Sequence, residues 1–303
     1  MEFHAEKDLA ICGLACVLCS DEACCGCKER SCKQGCDCSV YQCAKTRNID
    51  GCYECDNFPC EEKMLQGIRN KAFNRYAGMY GKQTLLNRLK INFENGITYH
   101  RPNGEKGDYD LLTGEDDIMR LIRFGTHTPY NNCPTIETAN FIFRLVKIED
   151  AEDLLKCYSD PKAQELFNYV NCKSDFRMNT IDEMDEMINY WLTEYSQQAY
   201  VRFSIVDKST KRAVGTIEIF GKIGRYKVDR GILRIDVESG YENKAALLEI
   251  INMCVENFYL LFDLKEIATR IIPEAADRIE ALTENGFQYC DQNDLELNYI
   301  RPR

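Results

Sequence analysis

The sequence predicts an α+β protein built from two unlike parts. The first is a cysteine-rich, metal-stapled N-terminal domain with helices, because thirteen of the 18 cysteines precede residue 61. The second is a domain with a mixed central sheet flanked by helices, because short strand-like and helix-like segments alternate from Asn140 onward. A chain of 303 residues is long enough for two or three domains.

Four segments follow from the changes in composition along the chain. We expect a cysteine-rich metal-binding segment at residues 1–60 and a helical extension of it at residues 61–126. A linker is expected at residues 127–139, where "HTPYNNCPTIET" shows no periodicity, and the sheet-containing domain at residues 140–303.

The bulk composition excludes several classes of protein. The formal net charge is -11 and the pI is near 5.0, which argues against a general binder of nucleic acids or membrane surfaces. The start, "MEFHAEKDLA", has no secretory pattern, and the sequence contains no apolar run of about 18 residues. We therefore expect a cytoplasmic protein; the sequence does not indicate its oligomeric state.

The N-terminal cysteines predict metal ligation. Three pairs have CxxC spacing, which lets two thiolates converge on one tetrahedral ion. A reducing cytosol disfavours disulfides, and few large aliphatic residues lie between the cysteines, so we expect no apolar core there and a fold that depends on bound metal. About three structural Zn²⁺ ions are predicted, with ligands Cys12, Cys16, Cys19, Cys24, Cys27, Cys32, Cys36, Cys38, Cys43, Cys52, Cys55 and Cys60.

Other interpretations of these thiols stay open. Twelve ligands leave one thiol spare, either Cys25 or Cys43. The regular ferredoxin spacing is absent, which disfavours an iron–sulfur cluster without excluding it. Disulfides and inert buried thiols are the remaining alternatives.

The cysteine pattern is similar to that of a known domain. "CGLACVLC", "CCGC" and "CYECDNFPCEEKML" resemble a cysteine-rich domain of unknown function from bacteria and archaea, over about residues 9–95. Its members show CGLxCxxC, CxGC and a closing CxxCxxFPC. The resemblance implies metal binding and no known activity.

Helical periodicity begins after the last of these cysteines. "EEKMLQGIRNKAFNRYA" places Met64, Ile68, Ala72 and Tyr76 on one stripe, "KQTLLNRLKINF" repeats the pattern, and "TGEDDIMRLIRFG" predicts a third, short helix. Residues 61–95 carry seven basic side chains against three acidic ones. These form either a solvated face against the acidic cysteine segment or a surface for an anionic ligand.

The C-terminal part predicts alternating strands and helices. Strands are expected at "FIFRLVKI", "AYVRFSIVD", "RAVGTIEIFG", "RGILRIDVE" and "EIATRII", with a last pair around "GFQYC" and "DLELNYI". Helices are expected at "EDAEDLLKCYS", "PKAQELFN", "TIDEMDEMINYWLTEYS", "NKAALLEIINMCVENFYLLF" and "EAADRIEALTEN".

This order of elements resembles the GNAT acetyltransferase superfamily, especially the branch that acetylates the N-termini of ribosomal proteins. "FRLVKIEDAEDLLKCYSDPKAQELF", "RAVGTIEIFG" and "IIPEAADRIEALTENGF" carry the resemblance, over about residues 140–303. It implies acetyl-CoA lying between the splayed fourth and fifth strands, with its diphosphate on backbone N–H groups at the next helix start. The implied partner is a small-molecule or peptide amine acceptor.

The resemblance implies nine cofactor-binding positions: Val237, Ser239, Glu242, Asn243, Lys244, Ala245, Ala246, Ala275 and Arg278. The family pattern Arg/Gln-x-x-Gly-x-Gly/Ala is not kept, because Glu242 replaces the cation, Ala245 the first glycine and Leu247 the small residue. In the later motif Ala275 replaces an asparagine and Arg278 a serine.

Glu242 is the most serious of these departures. A carboxylate about 4 Å from a phosphate charge repels it by up to about 4 kcal/mol at an effective dielectric of about 20. That weakens binding by nearly a thousandfold, at about 1.4 kcal/mol per decade. Lys244, Arg278 and the backbone amides are available to offset part of it.

Three residues are candidates for catalysis. Glu218 and Glu238 lie on strands where the family has a carboxylate base that acts through water, and Tyr289 lies roughly where it has a tyrosine general acid. Two functions stay open: an acetyl-CoA-dependent N-acetyltransferase with a zinc-binding N-terminal domain, or a non-catalytic GNAT-fold ligand-binding or interaction protein whose CoA site is eroded.

Overall fold

The chain divides into two compact units, Met1–Thr126 and His127–Arg303. Within the part of the chain that is described, no helix combines the length and the apolar character needed to cross a bilayer. The computed structural model describes residues 2–19, 21, 24–29, 37–101, 105–167, 176–290 and 297–303.

The N-terminal unit contains four α-helices in the described residues. They are α1 (Ser39–Arg47), α2 (Ile68–Tyr80), α3 (Lys82–Glu94) and α4 (Glu115–Phe124). The first predicted stripe starts too early, since Met64 lies in a short 3-10 turn, Lys63–Leu65. Gly67 is the N-cap of α2 with an extended backbone, and it separates that turn from the helix.

The cysteine segment has a small apolar core, contrary to the expectation from its sequence. Four thiols belong to this core, which shows that cysteine itself supplies buried volume. Its buried members are Ala10, Ile11, Cys12, Cys27, Cys38, Val40, Tyr41, Ala44, Cys52 and Leu65. The side chains of Asn70 and Asn74 on α2 donate hydrogen bonds to the carbonyl oxygen of Cys12, at 3.2 and 2.9 Å, and attach the segment to the helix.

A ring of four charges joins the cysteine segment to α3. The ammonium groups of Lys28 and Lys82 both contact the carboxylates of Asp8 and Asp50, at 2.5 to 2.9 Å. Lys82 is one of the basic side chains of residues 61–95. It packs against acidic residues of the cysteine segment, as the first of the two expected arrangements requires.

The C-terminal unit contains nine strands and five α-helices in its described residues. In chain order they are β1 (Ile136–Glu137), β2 (Phe141–Leu145), α5 (Ala151–Tyr158), α6 (Pro161–Phe167), α7 (Ile181–Ser196), β3 (Val201–Asp207), β4 (Ala213–Ile219), β5 (Arg230–Ile232), β6 (Arg234–Val237), α8 (Lys244–Leu261), β7 (Glu266–Thr269), α9 (Ala276–Glu284), β8 (Gln288–Tyr289) and β9 (Tyr299–Pro302).

The strands form two sheets rather than the single predicted one. The first has the order β1-β2-β3-β4-β6 and is antiparallel, and the second has the order β5-β7-β9-β8. The predicted strand "RGILRIDVE" is divided at Leu233 into β5, which pairs in parallel with β7, and β6, which pairs with β4. The N–H of Leu233 donates to the carbonyl of Ala268 at 2.9 Å. Beyond it, no ladder pair joins the described residues of β6 and β7, so the two strands diverge.

The first sheet is apolar on one face and charged on the other. Phe203 of β3 stacks on Phe258 of α8, with ring centroids 5.4 Å apart. The neighbouring residue, Arg202, points to the opposite face and lies against Trp191 of α7. The helices α5 and α7 therefore cover the face that carries the charged side chains.

Candidate functional site

A row of charged residues crosses three strands at the point where β6 and β7 diverge. Arg202 of β3 pairs in register with Glu218 of β4, and Glu218 pairs with Arg234 of β6. Because the side-chain period of a strand is two, Ser204, Thr216 and Asp236 form the next row on the same face.

Asp236 is the centre of this cluster. Its carboxylate accepts hydrogen bonds from Arg234 Nε at 2.8 and 2.9 Å, from the Tyr158 hydroxyl at 2.8 Å and from Arg202 Nη1 at 3.2 Å. The side chains of Asp236 and Arg202 are 0% and 1% exposed. Burial alone would raise the pKa of Asp236, but the two guanidinium groups outweigh it and hold the pKa below its ordinary value.

Gly215 allows Asp236 to lie this close to β4. A Cβ atom at position 215 would overlap the carbonyl oxygen of Asp236 and the backbone of Val237. The glycine in "AVGTIEIF" is therefore required by the close approach of the two strands.

Of the three candidate catalytic residues, Glu218 lies in this row. Its carboxylate accepts a hydrogen bond from Arg202 Nη2, and its side chain is 22% exposed, unlike those of Arg202 and Asp236. The guanidinium group of Arg202 thus holds the carboxylate of Glu218 in place, and that carboxylate remains accessible to solvent.

Glu238 and Tyr289 lie elsewhere. The N–H of Glu238 bonds to Val214, four residues from Glu218 along β4, which is roughly 13 Å at about 3.3 Å per residue. Burial raises the pKa of the Glu238 carboxyl, which contacts Arg212 Nη2 at 2.5 Å. Tyr289 is 62% exposed on β8, the outer strand of the second sheet. The structure does not bring the three candidates together.

The predicted diphosphate site contains a buried ion pair. Arg278 of α9 donates to the carboxylate of Glu242, with Nε 2.9 Å from Oε2 and a further contact from Nη2. The two side chains are 4% and 7% exposed. Burial alone would lower the pKa of Arg278, but Glu242 outweighs it and raises that pKa. Arg278, not Lys244, therefore offsets the charge of Glu242.

In the first turn of α8, only some of the described backbone N–H groups have a hydrogen-bond partner. The side chain of Asn243 accepts a hydrogen bond from the N–H of Ala246 at 3.1 Å, as an N-cap residue does. The ammonium group of Lys244 contacts Glu280 and Glu284 on α9 at 3.1 and 2.6 Å. Within the described residues, the N–H groups of Lys244 and Ala245 have no partner.

The loop before α8 is held by a residue that the sequence did not single out. Asp160, between α5 and α6, accepts a hydrogen bond from the N–H of Ser239 at 2.9 Å. Burial opposes the ionisation of Asp160, but the bonds from Ser239 outweigh it and lower its pKa. Val237 and Ala275 are buried.

A cavity of about 580 Å³ lies beside the same helix start. Asn243, Ala245 and Ala246 line it, together with Asp207 and Glu249. Burial opposes ionisation of both acids, but hydrogen bonds outweigh it: the pKa of Asp207 falls to about 2 and that of Glu249 is also lowered. These two carboxylates disfavour a diphosphate here, so the side of α8 that faces Arg278 is the better place for an anion.

The predicted metal ligands are gathered near one another without forming a complete site. In the part of the N-terminal unit that the structure describes, no group of three or more histidine, cysteine or acidic side chains is arranged to hold a metal ion. Cys16 nevertheless lies close enough to Cys19, Cys24 and Cys27 for their charges to interact, and Cys52 likewise to Cys12, Cys43, Cys55 and Cys60. Cys32 and Cys36 lie outside the described residues.

Most residues of the buried cluster are not predicted by the sequence pattern. A signal was present, since "VRFS" at the start of β3 and "RIDVE" carry charged or polar residues at every second position. Alternation alone predicts a solvated face, and the cover of α5, α6 and α7 makes Arg202, Arg234 and Asp236 buried.

Comparison with known sequences finds similarity in the C-terminal unit. Residues 140–288 match the family model described as an acetyltransferase (GNAT) domain. The chain is similar to "Uncharacterized N-acetyltransferase YoaA" of Bacillus subtilis (strain 168), with 23% identity over 157 residues, which cover 51% of this chain and 83% of YoaA. It is also similar to "Uncharacterized N-acetyltransferase p20" of Bacillus licheniformis, with 26% identity over 154 residues, which cover 51% of this chain and 82% of p20.

Solved structures show similarity to slightly more than half of the chain. One is a ribosomal-protein-S5-alanine acetyltransferase from Vibrio fischeri, with a TM-score of 0.45 and 16% identity, covering 56% of this chain and 96% of the other. Another is a spermidine N-acetyltransferase from Vibrio cholerae in complex with CoA and spermine, with a TM-score of 0.42 and 16% identity, covering 54% and 94%.

Proposed function

We propose that the GNAT acetyltransferase domain at residues 140–288 transfers an acetyl group from acetyl-CoA to the amine of a small molecule or peptide. The observation that carries the proposal is the charged row at the divergence of β6 and β7. There Glu218 is both accessible and fixed by Arg202.

The residues around the start of α8 fit the anionic end of the cofactor. The N–H groups of Lys244 and Ala245, which have no partner among the described residues, lie at the positive end of the helix, and Arg278 balances the charge of Glu242. When bound, acetyl-CoA supplies an acetyl group activated as a thioester. Asp160 holds Ser239, and so keeps the loop in one conformation.

Glu218 acts as the proton acceptor in this proposal. An amine must lose a proton to attack an acyl carbon, and a carboxylate does this directly or through water. Arg202 Nη2 binds one oxygen of Glu218 and fixes its orientation. The proton would move from the amine nitrogen to the carboxylate of Glu218 as the nitrogen bonds to the acetyl carbon, the carbon–sulfur bond of the thioester would break, and the CoA thiolate would leave and take up a proton from solvent.

Two matched substitutions test the assignment of the base. Glu218→Gln should lower kcat by roughly 10²–10⁴-fold, the usual contribution of a general base, with unchanged affinity for CoA. Glu238→Gln removes the same charge about 13 Å away and should keep full activity. The measurement is mass-spectrometric detection of acetylated acceptors from a panel of amines and peptides. Full activity of Glu218→Gln would show that Glu218 is not the base.

A non-catalytic role is the second candidate. It is favoured by the contacts that already engage the predicted cofactor residues, since Asn243 caps its own helix and Glu242 occupies Arg278. In that case CoA would not bind measurably, and the domain would serve as a ligand-binding or interaction module.

For the N-terminal unit, we propose structural zinc, about three ions per chain. The grouping of Cys16, Cys19, Cys24 and Cys27 supports one tetrahedral thiolate site. The grouping of Cys43, Cys52, Cys55 and Cys60 supports another.

A further inference from the structure

The cavity of about 580 Å³ beside the start of α8 takes no part in the proposed reaction. Its walls come from the start of β2, the end of β3 and the first two turns of α8, so it lies within the C-terminal unit. Small-molecule sites in proteins usually have volumes of about 300–1,000 Å³. This space is large enough for a small organic molecule and much larger than a bare metal ion occupies.

Two carboxylates give the cavity a negative charge. Although burial opposes it, hydrogen bonds lower the pKa of Asp207 to about 2 and also lower the pKa of Glu249, so both are ionised at neutral pH. The donors to Asp207 include the hydroxyls of Ser209 at 2.6 Å and of Tyr241 at 2.8 Å. The donors to Glu249 include both nitrogens of Asn140 at 2.7 Å. These donors are neutral, and among the described residues neither carboxylate has a cationic partner.

The one lysine in the described cavity wall does not cancel this charge. Lys208 Nζ lies 2.9 Å from the carboxylate of Glu137 and donates to the carbonyl oxygen of Thr138 at 2.7 Å. Glu137 therefore balances Lys208, and the charges of Asp207 and Glu249 remain. A cation that enters the cavity is attracted by both carboxylates, whereas an anion is repelled.

The remaining walls favour an organic cation over a metal ion. The rings of Phe141 and Tyr241 line the cavity with their centroids 6.1 Å apart, and Ala139, Ala245 and Ala246 add small apolar surfaces. Aromatic rings attract ammonium and guanidinium groups, and apolar walls favour burial of a carbon skeleton. This lining fits a molecule that has a cationic group on a compact apolar body.

The cavity lies away from the charged row that contains the proposed base. Asp207 follows Arg202 by five positions on β3, which is roughly 16 Å at about 3.3 Å per residue, and Arg202 pairs in register with Glu218. That row lies on the sheet face covered by α5 and α7, whereas α8, which lines the cavity, packs on the other face through Phe258. A ligand in the cavity is therefore not an acceptor amine bound next to Glu218.

We propose that this cavity is a second ligand site, which binds a small organic cation with an ammonium or guanidinium group on a compact apolar body. Asp207 and Glu249 bind the cationic group, and Phe141 and Tyr241 pack against the body. The inference goes beyond the proposed reaction, and it does not depend on whether the C-terminal unit is an acetyltransferase.

Calorimetric titration of the full-length, zinc-replete protein tests the site. Phenethylamine and phenethylguanidine carry the cationic group, and such amines are protonated at neutral pH because their pKa is close to that of lysine, about 10.4. Phenethyl alcohol has nearly the same shape without the charge, and hydrocinnamate carries a carboxylate instead. Magnesium chloride represents a metal ion.

We expect at least one of the two organic cations to bind saturably, one per chain, with a dissociation constant below about 1 mM. The alcohol, hydrocinnamate and magnesium should bind at least about tenfold more weakly. A tighter phenethylguanidine complex identifies a guanidinium site, and a tighter phenethylamine complex an ammonium site. Saturable binding of neither cation, equal binding of the alcohol, or tighter binding of magnesium overturns the inference.

Charge-removing variants locate the bound cation. Glu249→Gln and Asp207→Asn each keep nearly the same shape and should each weaken binding of the preferred cation roughly tenfold. Glu186→Gln, at an exposed position of α7 on the other side of the sheet, is the matched control and should leave the affinity unchanged. Circular dichroism verifies folding. Unchanged affinity in either folded cavity variant overturns the inference, and if neither variant folds, the comparison with phenethyl alcohol on the unmodified protein decides.

Two further titrations separate this site from the proposed reaction. Glu218→Gln should bind the cation with unchanged affinity, and a loss there would place the cation next to the proposed base and overturn the inference. CoA is titrated into the same unmodified protein. Absence of CoA binding contradicts the acetyltransferase proposal alone, because the cation site is judged from the cation titrations.

Discussion

The two units of the molecule bury polar atoms in different ways. The N-terminal unit places thiols in its core, including Cys12 and Cys52. The C-terminal unit buries Arg202, Arg234 and Asp236, and these charges bind one another. In the second arrangement the charges are balanced within the protein, whereas in the first the thiols contribute buried volume and remain available to bind an ion.

The pKa values of the buried groups differ between the two units. Burial raises the pKa of Cys12 and of Cys52 to about 12, so both are neutral thiols at ordinary pH unless a cation lies beside them. The pKa of Asp236 moves the opposite way, because its cations belong to the protein. Binding of the proposed zinc ions would therefore release thiol protons, whereas the charge of Asp236 is balanced within the protein.

Removal of metal should produce the largest effect. Structural zinc contributes about 10–16 kcal/mol of apparent binding free energy in small domains, more than a small core supplies. Elemental analysis should find near three zinc ions per chain, and a strong chelator should unfold residues 1–126 while residues 127–303 keep a cooperative thermal transition by circular dichroism.

Two cysteine variants serve as matched tests of this dependence. Cys52→Ser should lower the zinc content by about one ion at four thiolates per site. Cys254→Ala, at a buried thiol in α8, should lower it by none. Iron with sulfide in the native protein, or full reactivity of its N-terminal thiols, would contradict the zinc assignment.

Breaking the Glu242–Arg278 pair should produce the next largest effect. Glu242→Leu leaves Arg278 buried without its anion, and we expect the free energy of unfolding in urea to fall by about 3–5 kcal/mol. The double change Glu242→Leu with Arg278→Met should recover most of this loss, because it removes both charges. A single variant as stable as the unmodified protein would show that the pair is not buried in solution.

The smallest of these effects concerns the pH dependence of the buried cluster. Since the folded pKa of Asp236 is depressed, its stabilisation is present above the ordinary aspartate pKa and is lost as the pH falls through the folded value. Tyr158→Phe removes one hydrogen bond to this carboxylate, so the folded pKa should rise and acid unfolding should begin at a higher pH. We expect a loss of about 1–3 kcal/mol at neutral pH.

The control for this prediction is Tyr190→Phe, an exposed tyrosine on the same helix layer. Its acid-unfolding midpoint, followed by Trp191 fluorescence, should equal that of the unmodified protein. A Tyr158→Phe midpoint that does not move would contradict the coupling between Tyr158 and Asp236.

Sequence periodicity predicted the regular elements well. Thr180 and Glu183 form a capping box at the start of α7, a helix expected from its amphipathic sequence, and Met184, Ile188 and Trp191 are its buried residues. Such signals are local, because they depend on residues three or four positions apart.

Features that depend on distant residues were not predicted. The division of the fourth strand at Leu233 is set by its bond to Ala268, 35 positions away in the chain. The partner of Glu242 is Arg278, on another helix, and the Asp160–Ser239 bond crosses 79 positions. A local sequence pattern does not indicate which charged side chains pair across distant segments of the chain. The ion pairs of the site could therefore be assigned only from the structure.

The central claim is that the C-terminal unit binds acetyl-CoA at the start of α8, and calorimetric titration with CoA tests it most directly. We predict a dissociation constant of about 1 μM, equivalent to about 8 kcal/mol, and binding at least about tenfold weaker when Arg278 alone is replaced by Met, because the charge of Glu242 is then unbalanced. No binding at millimolar CoA to the folded, zinc-replete protein would contradict the claim.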